Sequence, residues 1–485
     1  MLYHSTRNKQ ITASPAEALL RGLAPDGGLF LPDSFEAAKI DLEKTLSMTS
    51  NEISAEILSK FFTDFSRSEI DEIVDLAYNG TFESAEFAPL TKVGDKFVLE
   101  LYHGPTCAFK DVALSVLPRL VTAAKKKTGD KSETIVLTAT SGDTGSAAAH
   151  GFSEVPGTKI IVFYPAHGTS AVQEKQMTSC PGKNVFVAAV DGNFDDAQSG
   201  VKKIFAEAEM PEGKALSSAN SINIGRLTPQ IAYYFTAYRD LVNAGEITLG
   251  DKVDFVVPTG NFGDILAGYF ASLIGLPVGK LVCASNENRV LTEFFETGKY
   301  DKKREFHITK SPSMDILISS NLERLLCLML GTEKTAEYMA KLAKCGEYTL
   351  SAEELASFTE TFAAGACGDA ETLATIGKVY KKHGYLMDTH TAVAWNVAEK
   401  LGVCKNKTVV LSTASPYKFS ASVLSALGTE TSEDEFEMLE ILRKLTGAPV
   451  PASLARLAEA ENLHTDKIKK EEMQNYVLAR TEENI

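Results

Sequence analysis

Apolar residues recur at three- and four-residue spacing through residues 15–90, in stretches such as SAEILSKFFTDF and SEIDEIVDLAY. That spacing lines one face of a helix and predicts a helical N-terminal region over 1–95, interrupted by the turn-rich LAPDGGLFLP. Beyond it the texture changes to short, β-branched apolar runs closed by small or turn residues: TIVLTAT, KIIVFYPA, NVFVAAVDG, VDFVVPTG, KLVCAS and TVVLST. These runs are apolar throughout instead of alternating, as strands buried on both faces are. Helical patterns separate most of them, which predicts an α/β fold with mainly parallel sheets. The runs form two groups, 134–192 and 253–413. Two open lobes follow: a large one over 96–132 and 250–425, and a small α/β one over 133–249, with PQIAYYFTAYRDLV as a connecting helix. The acidic stretch 426–485 reads as a helical C-terminal segment.

Composition narrows the picture. The chain has 485 residues, 44% hydrophobic and 23% charged, enough for a large buried core. No apolar run reaches the roughly 18 residues that span a bilayer. MLYHSTRNKQ lacks the apolar stretch of a secretory signal. The seven cysteines, 107, 180, 283, 327, 345, 367 and 404, show no CxxC spacing, and the eight histidines no ligand spacing. A metal site and a disulfide framework are therefore not expected, and a cytoplasmic location is. A net charge of −15 argues against nucleic acid and anionic membranes as partners. An anionic small molecule would need local cations and helix N-termini. Oligomeric state is left open.

Three runs end in small-residue loops that lead toward helices, where α/β sheets bind ligands. They are Ser141-Gly142-Asp143-Thr144-Gly145, Gly260-Asn261-Phe262-Gly263-Asp264, and LSTASPYKF around Thr413. Glycine lets backbone N–H groups turn toward an anion, and a helix N-terminus adds partial positive charge. A tight strand-to-helix turn asks for the same glycines, so each loop taken singly fits either reading. Neither GxGxxG nor GxxxxGK[ST] is present, which removes the main support for dinucleotide or P-loop binding. Lys110 follows a Gly-Pro turn in HGPTCAFKDVALSVL, one turn into what reads as an amphipathic helix. By spacing alone it is a solvated lysine with a snorkelling stem; a Schiff-base lysine would need partial burial.

YHSTRN, LLRGLAPDGGLFLP, HGPTCAFKD, TSGDTGSAA, NSINIGR, TGNFGDILAG, SPSMDILISSNLERLL and LSTASPYKF together resemble threonine synthase, in the longer branch found in fungi and many bacteria. The resemblance spans nearly the whole chain. It implies a fold type II pyridoxal 5'-phosphate enzyme, the cofactor between two α/β lobes, acting on O-phospho-L-homoserine. It implies Lys110 as the Schiff-base lysine and Gly260, Asn261, Phe262, Gly263 and Asp264 as the cofactor-phosphate loop. Thr413 is implied at the pyridine nitrogen and Asp143 beside the 3'-oxygen. Ser141, Gly142 and Thr144 would receive the substrate carboxylate, and Ser221, Asn223 and Arg226 the substrate phosphate. Ser415 stands where relatives often carry His in STAHP. Trp395, Cys107 and His390 read as packing or satisfied structural residues. A serine or threonine dehydratase or a cysteine synthase would share the lysine and glycine loop, without a second phosphate site. A silent binder of the cofactor is a third reading, against which the intact Lys110 and loops speak.

Overall fold

A computed structural model of the chain describes residues 1–84, 86–402 and 405–483; Cys404 lies outside the described residues. Two sheets carry the architecture. The larger has six strands in the order Phe362–Ala366, Val278–Ser285, Val253–Pro258, Lys407–Ser412, Lys96–Glu100, Leu90–Val93. All neighbours in it are parallel except the edge pair Leu90–Val93 and Lys96–Glu100. The smaller is parallel throughout, in the order Asp466–Lys469, Val185–Asp191, Thr158–Pro165, Glu133–Ala139, Lys214–Ser218. Each apolar run read from the sequence is a strand. The edge strands Lys214–Ser218 and Asp466–Lys469 are short and polar, and they carry no such signal.

Two expectations need correction. The N-terminal region is not helical throughout: Tyr3–Ser5, Thr12–Ala13 and Phe30–Pro32 form a three-stranded antiparallel sheet. These strands are too short to show a period. The helices Ser50–Phe61 and Arg67–Tyr78 do form, each opened by a capping box, Thr49 with Glu52 and Ser66 with Glu69. The C-terminal segment is not purely helical either. After helix Glu435–Thr446, strand Asp466–Lys469 adds to the small sheet before the final helix Met473–Glu482. No helix among the described residues is long and apolar enough to cross a membrane.

Candidate active site

Five loops leave the carboxyl ends of strands and converge between the two sheets. Three come from the large sheet: 101–109, 259–262 and 413–415. Two come from the small sheet: 140–142 and 219–223.

Lys110 is the first residue of helix Lys110–Thr128, not one turn into it. The residues before it are held out of helix by the neighbouring loop. Phe109 N–H donates to the Thr413 carbonyl at 2.9 Å and Ser415 N–H to the Cys107 carbonyl at 3.0 Å. Cys107 takes a left-handed φ of 56°. Asp111 closes the turn from inside, accepting from Thr106 N–H at 2.9 Å and Thr106 Oγ1 at 2.6 Å. The first half of the helix is buried on every side, so it is not amphipathic there; the bland surface reading of Lys110 fails for that reason. Its Nζ lies 3.5 Å from both Asp143 Oδ2 and Ser313 Oγ, and 4.8 Å from the centre of the Phe109 ring. Burial lowers its proton affinity, and the cations of Lys418 and Arg226 lower it further against the pull of Asp143. Thr413 is buried, and its hydroxyl has no partner among the described residues. Burial pushes the Cys107 thiol up to about 12, which disfavours the nucleophilic thiolate.

The second loop is a cradle of amides. The backbone N–H groups of Gly260, Asn261, Phe262, Gly263, Asp264 and Ile265 find no acceptor among the described residues, and helix Gly263–Leu273 begins there. Phe262 holds a left-handed φ of 62° because its ring is fixed among Phe295 and Phe362. Its contribution is therefore its amide. Gly260 is required by close approach, since a Cβ would stand 2.8 Å from the Ser313 carbonyl. Asn321 braces the loop, donating to the Asn261 carbonyl and to Ser221 Oγ, each at 3.1 Å. Arg324, fully buried, binds Asn321 Oδ1 in turn and also the carbonyls of Phe30 and Ile222. The Asp264 side chain turns away from the cradle. Its Oδ1 accepts from Tyr233 at 2.6 Å and Tyr234 at 2.9 Å, while its Oδ2 has no partner among the described residues. Burial raises this carboxyl to about 6.

The third loop repeats the device on the small sheet. The amides of Ser141, Asp143 and Thr144 have no acceptor among the described residues, nor do the Ser141 and Thr144 hydroxyls find a partner. Gly142, at φ 151°, is forced: a Cβ there would meet Gln173 at 2.4 Å. Asp143 is the hub of the cleft. Its Oδ1 lies 2.6 Å from Lys418 Nζ and 2.8 Å from Gln173 Nε2, and its Oδ2 accepts from Ser313 Oγ at 2.9 Å. Burial alone would raise this carboxyl; Lys418 and Lys110 outweigh it and hold the group well below the carboxylate range. His390 joins through Ser313, whose N–H donates to Nε2 at 3.2 Å, while Nδ1 lies 2.7 Å from Asp388 Oδ2.

NSINIGR is split by the structure. Ser221 lies against the amide cradle, its Cβ 3.6 Å from where a Gly263 Cβ would stand. Arg226 is buried, with no carboxylate partner among the described residues. One of its Nη groups donates to the Ala219 carbonyl, and its Nε has no partner among the described residues. Burial brings its guanidinium down to about 10. Asn223 differs from expectation: it caps helix Ile224–Leu227, accepting from Gly225 N–H and donating to the Leu19 carbonyl, both at 2.9 Å. It shapes the segment from within the core and offers no side chain to the cleft. Sequence reasoning left Lys418, Ser313, Gln173 and Asn321 unassigned. The first two and Asn321 lie in the quoted motifs, which is the signal that could have found them.

The family model described as Pyridoxal-phosphate dependent enzyme matches residues 82–414, a stretch that carries four of the five loops whole and reaches Ala414 in the fifth. Models for the threonine synthase N terminus and C-terminal region match 2–78 and 391–477. The chain belongs to the threonine synthase family. It is 38% identical to threonine synthase of Schizosaccharomyces pombe, over 88% of this chain and 89% of that one. A crystal structure of PLP-bound threonine synthase from Brucella melitensis superposes with a TM-score of 0.89 at 36% identity, covering 100% of both chains. The chain is also 37% identical, over 87% of its length, to threonine synthase-like 1 of Macaca fascicularis, of which it spans 60%.

Proposed function

We propose that the chain is a threonine synthase. It converts O-phospho-L-homoserine and water to L-threonine and inorganic phosphate, with pyridoxal 5'-phosphate bound at Lys110. The observation that carries this reading is the buried, loosely held Lys110 amine between two loops of amides that lack internal acceptors, in a chain of this family. The cofactor fits the residues present. The amides of 260–264 suit its phosphate. Gly263 is not demanded by packing, because a methyl there would make only ordinary 3.6 Å contacts with Asn321 and Ser221, so the space beside the amides is kept clear. Thr413 would meet the pyridine nitrogen and Asp143 would lie toward the 3'-oxygen.

Pyridoxal phosphate, when bound, supplies an aldehyde for an amine and a conjugated ring that accepts electrons from Cα. The protein supplies the rest. Ser141, Gly142 and Thr144 orient the substrate carboxylate, and Arg226, with Ser221 at the cradle's rim, receives the phosphate end. The Lys110 amine, free once the substrate amine replaces it, would take the Cα proton, pass it on to the conjugated system, and so regain the lone pair with which to take the Cβ proton. The Cγ–O bond would then break, with phosphate keeping the electron pair and taking up a proton, while Lys110 hands the proton it holds to Cγ. Water would add its hydroxyl at Cβ and leave its other proton with Lys110, which would return a proton to Cα. A buried guanidinium without a carboxylate favours this reading over a dehydratase, whose substrate carries no phosphate. The cysteines among the described residues are free, which supports a cytoplasmic location.

Borohydride reduction of the holoenzyme should fix a pyridoxyl label on the peptide containing Lys110, and Lys110→Ala should abolish label and threonine formation together. Label on another lysine overturns the assignment.

A further inference from the structure

Lys418 lies in the turn Pro416–Phe419, beyond Thr413, with its side chain wholly buried. A buried ammonium is costly unless an anion meets it. Lys418 meets Asp143 Oδ1 at 2.6 Å and the Thr106 carbonyl at 2.8 Å. The same carboxylate faces Lys110 at 3.5 Å through its other oxygen. Asp143 is thus shared between two lysines, tightly with one and loosely with the other. Gln173 and Ser313 occupy its remaining acceptor positions.

The unequal sharing has a chemical consequence. A carboxylate beside a single buried amine favours the ammonium, and an ammonium has no lone pair with which to attack an aldehyde. A second cation on the far oxygen offsets that anion. The other charges around Lys110 act in known directions. Arg226 works with Lys418 to disfavour the charged amine. Asp264 lies within electrostatic range behind the cradle. His390, held by Asp388 and near Asp315, bears on Asp143 electrostatically and is linked to it by hydrogen bonds through Ser313. Asp111 is spent on Thr106.

We propose that Lys418 is a positioning residue for Lys110: by holding Asp143 in a short ion pair, it leaves the Lys110 amine unclamped and uncharged when the cofactor aldehyde or the product arrives. The inference rests on Lys110 being the cofactor lysine.

The test uses the full chain freed of cofactor and then mixed with pyridoxal phosphate. Capture of the aldehyde, in which the amine nitrogen bonds to the carbonyl carbon and water leaves, is followed by visible absorbance across pH. Borohydride trapping identifies the lysine. Lys418→Met should move the midpoint of the capture rate up by about one pH unit or more, slowing capture at neutral pH about tenfold or more. Adding Asp143→Asn to Lys418→Met should return the midpoint to the parent value or below. An unchanged midpoint in Lys418→Met overturns the proposal, as does a midpoint that stays high in the double variant. Where Lys418→Met does not fold, the double variant decides alone: a midpoint above the parent's is the contrary result. Failure of the parent to capture the aldehyde on Lys110 at any pH would instead remove the Lys110 assignment.

Discussion

Asp264 is buried with its carboxyl raised from 3.8 to about 6, so the native state favours its protonated form. A native value above the unfolded one gives stability that is present below 3.8 and lost as pH rises through about 6. Asp264→Asn keeps an acceptor for Tyr233 and Tyr234 and removes the charge. Its melting temperature should therefore gain on the parent's across that window and level off above it; parallel pH curves would contradict this. The same residue shows what was legible at this scale. Its place at the end of a glycine loop could be read from neighbours in sequence. That its carboxyl points at two tyrosines could not, because Tyr233 and Tyr234 come from a helix thirty residues earlier. Lys418 and Ser313 were hidden in the same way, since each acquires its meaning only by meeting Asp143 from another loop.

At the scale of elements, the amide cradle is the feature that most directly separates ligand binding from folding. Gly263 opens helix Gly263–Leu273 without a positive φ, and alanine fits there without a clash. Gly263→Ala should leave stability unchanged or raise it by about 0.4–1 kcal/mol. It should weaken pyridoxal phosphate binding, because the methyl enters the space beside the amides. Thermal melting and an absorbance titration with the cofactor check the two halves, and unaltered affinity would mean the cradle holds something else. Strands buried on both faces were plain from their unbroken apolar runs. The helix at Lys110 was read correctly in kind and wrongly in its start, because the residues that delay it are pinned by Ser415 and Thr413, far along the chain.

At the scale of the whole molecule, the C-terminal segment ties the two sheets together. Glu435 accepts from Val172 N–H, Ser453 Oγ lies 3.2 Å from Cys107 Sγ, and Asp466–Lys469 extends the small sheet. Its end is fastened by Lys159, a buried lysine whose ammonium donates to the carbonyls of Arg480, Thr481 and Glu483. Such a cation at a helix C-terminus suits the exposed carbonyls and the dipole. Lys159→Met should cost about 1.5–3 kcal/mol and expose the last helix to protease before the rest unfolds; cleavage no faster than in the parent would contradict that. Under the proposed function two phosphates and a carboxylate would enter a chain of net charge −15, and the amides, Arg226 and the two lysines are the groups that would meet them. The most direct test of the whole account is the fate of oxygen when O-phospho-L-homoserine is turned over in heavy-oxygen water. Loss of phosphate by carbon–oxygen cleavage, with water adding at Cβ, predicts threonine and phosphate in equal amounts, with the heavy oxygen in the threonine hydroxyl and none gained by the phosphate. Homoserine as product, with the heavy oxygen in the phosphate, would contradict it.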